Sequence, residues 1–274
     1  MPELPEVESA RAVIGLAALE RVITDVDDSD TYECRPHQPG EIRAALLGRR
    51  LTAVYRRGKS IWCDSSGNAE SETPGPALGI HLGMSGKIVV TDGKGHETDG
   101  GDYWERGRAS GDHRFKRFGL SFADGGSLLL IDPRRLGRVR LDPPVERLGP
   151  DAQVITPAQF RTVFAKGTAP VKVRLLDQEA IAGIGNLLAD QILWRARIRP
   201  AKPVGELTSE EVARLLRAVR WAIRSSLADG GVHTLPLLPF RVEGAACPRC
   251  GAPMAKGVVG GRTTWWCTRE QGPR

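Results

Sequence analysis

The sequence predicts a multi-domain α+β protein, and three observations carry that reading. Apolar residues recur with a period of two in short runs before about residue 145, and with a period near 3.6 from 150 to 232. Three of the five cysteines, Cys247, Cys250 and Cys267, crowd into a basic tail after residue 240. At 274 residues the chain is long enough for about two domains. The expected division is therefore 1–145, 150–232 and 240–274. A hydrophobic share of 41% excludes a wholly disordered chain. No stretch approaches the ~20 apolar residues of a membrane helix, so no membrane partner is expected.

Taken in order, residues 5–20 read as a helix, with Val7, Ala10, Ile14 and Ala17 at helical spacing and Pro5 near its start. A second helix over Glu41–Leu47 stops at Gly48, the usual left-handed cap residue. Strand-like runs follow over Leu51–Tyr55, Ser60–Cys63, Leu78–Leu82, Lys87–Thr91, Arg117–Phe122, Ser127–Ile131 and Arg138–Leu141, with Asp124-Gly125-Gly126 as a hairpin signal. Residues 64–76 and the Gly-rich 92–112 read as linkers too polar to pack. The period then lengthens. Thr156–Ala165 is a short helix, and Val171–Glu179 and Asn186–Arg197 flank the turn at 182–185. Thr208 and Glu211 form a capping box for a long helix whose apolar face carries Val212, Leu215, Leu216, Val219 and Ile223.

Net charge is +6, unevenly placed. Residues 1–40 hold nine acidic against three basic groups, 106–140 nine basic against three acidic, and 240–274 six against two. Such clustering suits a polyanion, nucleic acid first, although an ordinary basic surface has the same composition. The N-terminus, with two prolines and three glutamates in its first eight residues, is unlike a secretory signal. Five cysteines do not suggest a disulfide framework either. A reduced, cytoplasmic setting is expected.

Three groups of residues suit chemistry. Cys247-x2-Cys250, with sixteen residues between the second and Cys267, has zinc-ligand spacing, and Glu270 stands where a fourth ligand is expected. One structural Zn2+ there would supply folding energy that ~30 residues cannot draw from a core. At the other end, removal of Met1 would leave Pro2 with a secondary amine of pKa about 8, partly unprotonated and nucleophilic. Glu3 and Glu6 lie beside it as proton carriers. The same residues equally suit a proline-started helix with acidic groups favouring its dipole. Finally, Gly58-Lys59-Ser60, the run 81–86 and the run 132–137 are turns each bearing a long side chain.

From PELPEVE through HLGMSG, DPRRLG, LLDQEAIAGIGN and CPRCG to GGRTTWWC, the chain resembles the formamidopyrimidine-DNA glycosylases, whose sister group is endonuclease VIII. The resemblance implies an N-terminal β-sandwich with flanking helices, a helix-two-turn-helix domain and a C-terminal zinc-finger hairpin, with DNA between the two halves. It implies a bifunctional glycosylase and abasic-site lyase that removes oxidised bases from damaged duplex DNA as a monomer. Pro2 would be the Schiff-base nucleophile and Glu3 a proton donor. Lys59 would serve β-elimination, and Arg262 δ-elimination and the DNA backbone. Glu6, His81, Lys172 and Asn186 would be further DNA-contact positions, Asn186 at a helix start whose free N–H groups suit a phosphate. Met84 and Arg134 would fill the gap left by an extruded base.

Three positions depart from the family pattern. Glu270 replaces a cysteine, Leu136 replaces a phenylalanine wedge, and the segment from Gly231 to Cys247 lacks a longer lid. These departures keep two alternatives open. One is preference for oxidised pyrimidines or bulky adducts. The other, if Met1 is retained, is lesion binding without catalysis.

Overall fold

Two antiparallel sheets grow from the short apolar runs of the first half. The computed structural model describes residues 2–67, 72–102 and 113–272. It divides into one unit of Met1–Pro2 with Glu6–Val145 and a second of Glu3–Pro5 with Glu146–Arg274. In the first unit, β1 (Ile23–Asp27), β5 (Lys87–Thr91), β6 (Glu97–Gly101), β7 (Lys116–Phe122) and β8 (Ser127–Ile131) form a sheet of order β1-β7-β8-β5-β6. The second sheet runs β2-β3-β4-β9, from Leu51–Arg57, Ser60–Ser65, Gly75–His81 and Arg138–Leu141. Ile61, Cys63, Leu78 and Ile80 of one sheet share a buried cluster with Ile88, Val90, Phe118, Leu120, Leu128 and Leu130 of the other. That shared core makes the pair a β-sandwich. Helix α1 (Leu4–Ala17) adds Val7, Ala10 and Ile14 to it, and α2 (Glu41–Leu46) adds Ile42 and Leu46.

The polar stretches are less empty than their composition predicts. β3 continues to Ser65 and β4 begins at Gly75, both inside the expected 64–76 linker. β6 lies inside 92–112 and pairs along its length with β5. Its hydrophilic sequence is tolerated because it is an edge strand, and Asp92 organises the turn before it by accepting from the Lys94 and His96 N–H groups. The rest of that linker, 103–112, lies outside the described residues. β1, too acidic to signal itself, is held by pairing with β7.

The second unit is helical, with a terminal hairpin. Its helices are α3 (Pro157–Val163), α4 (Val171–Leu176), α5 (Asn186–Ala196) and α6 (Ser209–Ala228). Thr156 with Gln159, and Thr208 with Glu211, close capping boxes at the starts of α3 and α6. The face of α6 bearing Val212, Leu215, Leu216, Val219 and Ile223 packs on Leu188, Ile192 and Leu193 of α5 and on Phe160 of α3. β10 (Met254–Val259) and β11 (Arg262–Cys267) form the hairpin, with a small core of Trp194, Leu237, Met254, Trp265 and two cysteines. Among the described residues, no helix is long and apolar enough to cross a membrane.

One ion pair ties α4, α5 and the hairpin together. Lys172 on α4 is wholly buried, and its Nζ donates to Asp190 Oδ1 on α5 at 2.6 Å, to Thr264 Oγ1 at 2.8 Å and to the Thr263 carbonyl at 3.1 Å. Asp190 Oδ2 accepts from the Trp265 N–H and from Arg241 Nε. Burial pulls the ammonium down and pushes the carboxyl up from their usual ranges, and the opposite charge of each works against that. The expectation of a DNA contact at Lys172 is thus corrected. All three of its donors are spent inside the protein, and its work is to seat β11 on the helices. Lys172→Met should destabilise the fold by about 3 kcal/mol, the low end for a broken buried pair because Arg241 remains. Urea unfolding reads the loss, and Lys172→Met with Asp190→Leu should recover most of it.

Candidate functional site

The N-terminal residues are anchored by backbone amides. Glu3 accepts from the N–H groups of Gly185 (2.9 Å), Leu187 (2.8 Å) and Leu188 (3.0 Å), the open end of α5. The following amide, Leu4 N–H, donates to the Gly183 carbonyl at 3.1 Å. A Cβ on Gly185 would lie 2.3 Å from Glu3 Cδ, so only glycine leaves room for the carboxylate. The expectation at Asn186 is corrected in part. Three amides at this helix start, those of Gly185, Leu187 and Leu188, are not free for a phosphate, because the chain's own carboxylate occupies them. The Asn186 side chain donates through Nδ2 to the Thr263 carbonyl at 3.0 Å. Pro2 is buried, and Glu6, on the first turn of α1, is only 2% exposed, so neither presents an open surface.

The four-stranded sheet gathers a second group. Gly58 and Lys59 form the two-residue turn between β2 and β3, with Gly58 at φ 59°, the left-handed value that the first position of a II′ turn needs. Next to Lys59, Ser60 stands opposite His81, which in turn stands opposite Arg138. A groove of ≈ 340 Å³ runs along these residues, lined also by Leu136 and Arg140. His81 Nδ1 accepts from the Gly83 N–H at 3.0 Å, leaving Nε2 to carry the ring proton. Burial, then the charges of Lys59, Arg138 and Arg140, push its pKa down to about 4. His81 is therefore a neutral hydrogen-bond donor, not a cation.

Two interlocked loops carry the expected wedge residues. Asp132 holds them: Oδ1 accepts from Ser85 Oγ (2.5 Å) and the Arg134 N–H, and Oδ2 from the Leu136 and Gly137 N–H groups. Gly83, at φ 59°, lets the other loop lie against the Leu136–Gly137 backbone, where a Cβ would meet carbonyl carbon at 2.3 Å. On this frame Met84 is 37% and Leu136 40% exposed, with Arg134 also exposed. Apolar side chains propped into solvent by a rigid base suit insertion into another molecule.

In the second unit, Cys247, Cys250, Cys267 and Glu270 offer ligand atoms all within 4.8 Å of one another, and no disulfide links the thiols. Three sulfurs and one carboxylate at that spacing are consistent with a metal site. The Glu270 carboxylate is also gripped by Arg249, whose Nε lies at 2.5 Å, and Arg197 stands 3.5 Å away. Trp194 Nε1 donates to Cys247 Sγ at 3.3 Å. Arg262, the first residue of β11, is exposed at the hairpin turn.

Sequence reasoning singled out the residues at the loop tips and missed those that hold them. Asp190 signals itself only as a charge on an otherwise apolar helix, NLLADQILWRA. Asp132 lay inside a quoted motif without a role. Ser60 and Arg138 become neighbours of His81 only through strand register.

Comparison with known proteins bears on this geometry. Residues 1–139 match the family model described as formamidopyrimidine-DNA glycosylase N-terminal domain, and 148–235 the formamidopyrimidine-DNA glycosylase H2TH domain. Formamidopyrimidine-DNA glycosylase of Chloroflexus aurantiacus is 30% identical, covering 97% of this chain and 96% of its own length. That of Nocardioides sp. is 33% identical over 97% of this chain and 93% of its own. Among solved structures, a complex of Lactococcus lactis Fpg with DNA containing an oxidised pyrimidine superposes with TM-score 0.80 at 24% identity, covering 99% and 100% of the two chains. Its complex with DNA containing FAPY-dG gives 0.78 at 24%, with the same coverage. At that identity the likeness is one of fold.

The neutral histidine is open to direct measurement. The His81 ring nitrogens should show no titration between pH 5.5 and 8 by nitrogen NMR. Because the folded pKa lies below the unfolded value near 6.5, stability from this group is present above pH 6.5 and lost as pH falls towards 4. His81→Gln should flatten that part of the stability profile.

Proposed function

This chain belongs to the formamidopyrimidine-DNA glycosylase family, base-excision repair glycosylases acting on damaged DNA, and on that premise we propose that it excises oxidised bases through a Schiff base on Pro2 and then cuts the strand by β,δ-elimination. The observation that carries the reading is the Glu3 anchor, which spends three backbone donors to fix the residue bonded to Pro2. With Met1 removed, the Pro2 nitrogen attacks C1′ of the damaged nucleotide, and the bond to the base breaks with its electron pair leaving on the base. Glu3 carries protons in this exchange, one reaching the departing base side. Loss of the single proton on the Pro2 nitrogen, and breaking of the C1′–O4′ bond with O4′ taking up a proton, give the iminium. Its positive nitrogen acidifies the 2′ proton, and removal of that proton expels the 3′ phosphate. Lys59 supplies the proton transfers of this step, and Arg262 those of the second elimination, which expels the 5′ phosphate. Hydrolysis of the imine frees Pro2.

DNA is held by complementary means. Lys59 and Arg262 pair with phosphates as charges, whereas neutral His81 and the Asn186 amide donate hydrogen bonds. Met84, Arg134 and Leu136 enter the space of the extruded base. A second reading, preference for oxidised pyrimidines or bulky adducts, is favoured by the modest area of Leu136. The segment from Gly231 to Cys247 also holds only two short 3-10 turns, Val232–Thr234 and Leu238–Phe240. Cys247, Cys250, Cys267 and Glu270 would hold one Zn2+ in a structural role, steadying the hairpin that presents Arg262.

Borohydride should trap the protein, processed to a free Pro2, covalently on duplex DNA with an abasic site. No trapped product from such protein would overturn the nucleophile, and a trapping series on single-lesion duplexes ranks the bases. Glu3→Gln should slow base release by roughly 10²–10⁴ and spare preformed abasic sites more. For the metal, chelation should abolish DNA binding while the β-sandwich stays folded, and Glu270→Cys should lengthen the time metal is retained, since sulfur is the softer donor. Metal analysis without zinc in active, freshly purified protein would remove the ion from this reading.

A further inference from the structure

Beneath the wedge loops lies a carboxyl group that neither the fold nor the proposed chemistry uses. Glu33 is wholly buried, and neither of its side-chain oxygens makes a hydrogen bond of ordinary geometry. Its Oε2 reaches Gly137, where a Cβ would lie 2.6 Å from it, 2.9 Å from the His81 carbonyl and 3.3 Å from Asp132 Oδ2. Two carboxyl groups thus share one dry corner at the root of both loops. They are unequally provided for. Asp132 accepts from four donors, three of them backbone amides, which fill its lone pairs. Glu33 has only the Gly137 N–H turned towards it, an amide already given to Asp132 at 2.8 Å, and an ionised carboxylate there would face the charge of Asp132 in a medium that screens it poorly.

We propose that Glu33 is a positioning residue, held protonated and sharing its proton with Asp132, and that this neutral carboxyl keeps the loops bearing Met84, Arg134 and Leu136 clamped together. It acts through Asp132. A second negative charge in the corner would compete for the amides of Leu136 and Gly137 and for Ser85, the contacts that join one loop to the other. The surrounding groups agree with this assignment. Burial first, then Asp132 by hydrogen bond and charge, and Asp30 beyond it, push the Glu33 carboxyl up to about 8. The facing cations do not neutralise it. Arg135 is committed to Asp30 at 2.8 Å, and Arg138 directs a buried Nε at no acceptor. Of the other titratable neighbours, Cys34 is pushed up to about 12 and His81 down to about 4, so neither changes charge near pH 8.

The sign of the pH effect follows. Between the unfolded value of 4.5 and about 8, the folded protein keeps a proton that the unfolded chain has lost, so rising pH removes stability across that interval. Above about 8 the stability contribution levels off, but the second charge is now inside the fold and the loops must respond.

The chain has three methionines, and Met84 reports on the loop while Met254 in the hairpin serves as reference. With 13C-methyl methionine, the Met84 resonance of the full-length protein should move in a single transition with midpoint near pH 8, while Met254 stays still. In Glu33→Gln, which keeps the shape without the charge, Met84 should hold the low-pH position up to pH 9.5. A flat Met84 in the wild type, or the same transition in Glu33→Gln, would overturn the assignment. The wild-type titration decides the matter alone should the variant not fold. The consequence for DNA rests on the function proposed above: loss of opposite-base discrimination above pH 8 in the wild type and not in Glu33→Gln. Failure of borohydride trapping would count against that function and leave the resonance test of Glu33 standing.

Discussion

The open N-terminus of α5 accepts one anion, and the chain supplies it from its own third residue. That constraint organises much of what surrounds it. Gly185 has no freedom to be anything larger, because Glu3 occupies the space of its Cβ. The run before α5 must bend so that the amides of Gly185, Leu187 and Leu188 converge on one carboxylate. A helix start that sequence reasoning offers to phosphate instead holds the chain's own carboxylate.

The same device recurs at the other loops. Asp190 gathers Lys172, Arg241 and the Trp265 amide, and thereby seats the terminal hairpin. Asp132 gathers three amides and a serine hydroxyl, and thereby shapes the loops bearing Met84, Arg134 and Leu136. A buried carboxylate is costly unless its lone pairs are filled, and filling them with backbone N–H groups from separate turns fixes those turns relative to one another. Side chains expected to meet DNA then project from a base that does not have to reorganise. His81 follows the same economy with the opposite sign, giving up its charge to lie between cations as a neutral donor.

The hairpin depends on a further balance. Its core is small, with two tryptophans and a few aliphatic groups around the cysteines, too little to order thirty residues unaided. Beside that core three thiols and a carboxylate come within one ligand sphere, consistent with a metal site, and Arg249, stacked over Trp194 and bonded to Glu270, holds the carboxylate in place.

Periodicity and spacing alone determined the β-rich first half, the helical second half, the capping box at Thr208 and the cysteine cluster. All of these are local: alternation, capping and a two-residue cysteine spacing are properties of short stretches of chain. The strand in the polar stretch, Glu97–Gly101, was not legible, because its place depends on an edge of β5 far from any apolar signal of its own. Lys172 looked like a DNA contact, and the structure buries it, because the carboxylate that consumes its charge is eighteen residues away on another helix. Glu33 carries no motif at all. Its meeting with Asp132 is decided by the packing of two loops distant in sequence, and burial, which only the tertiary structure creates, turns an ordinary glutamate into a proton store.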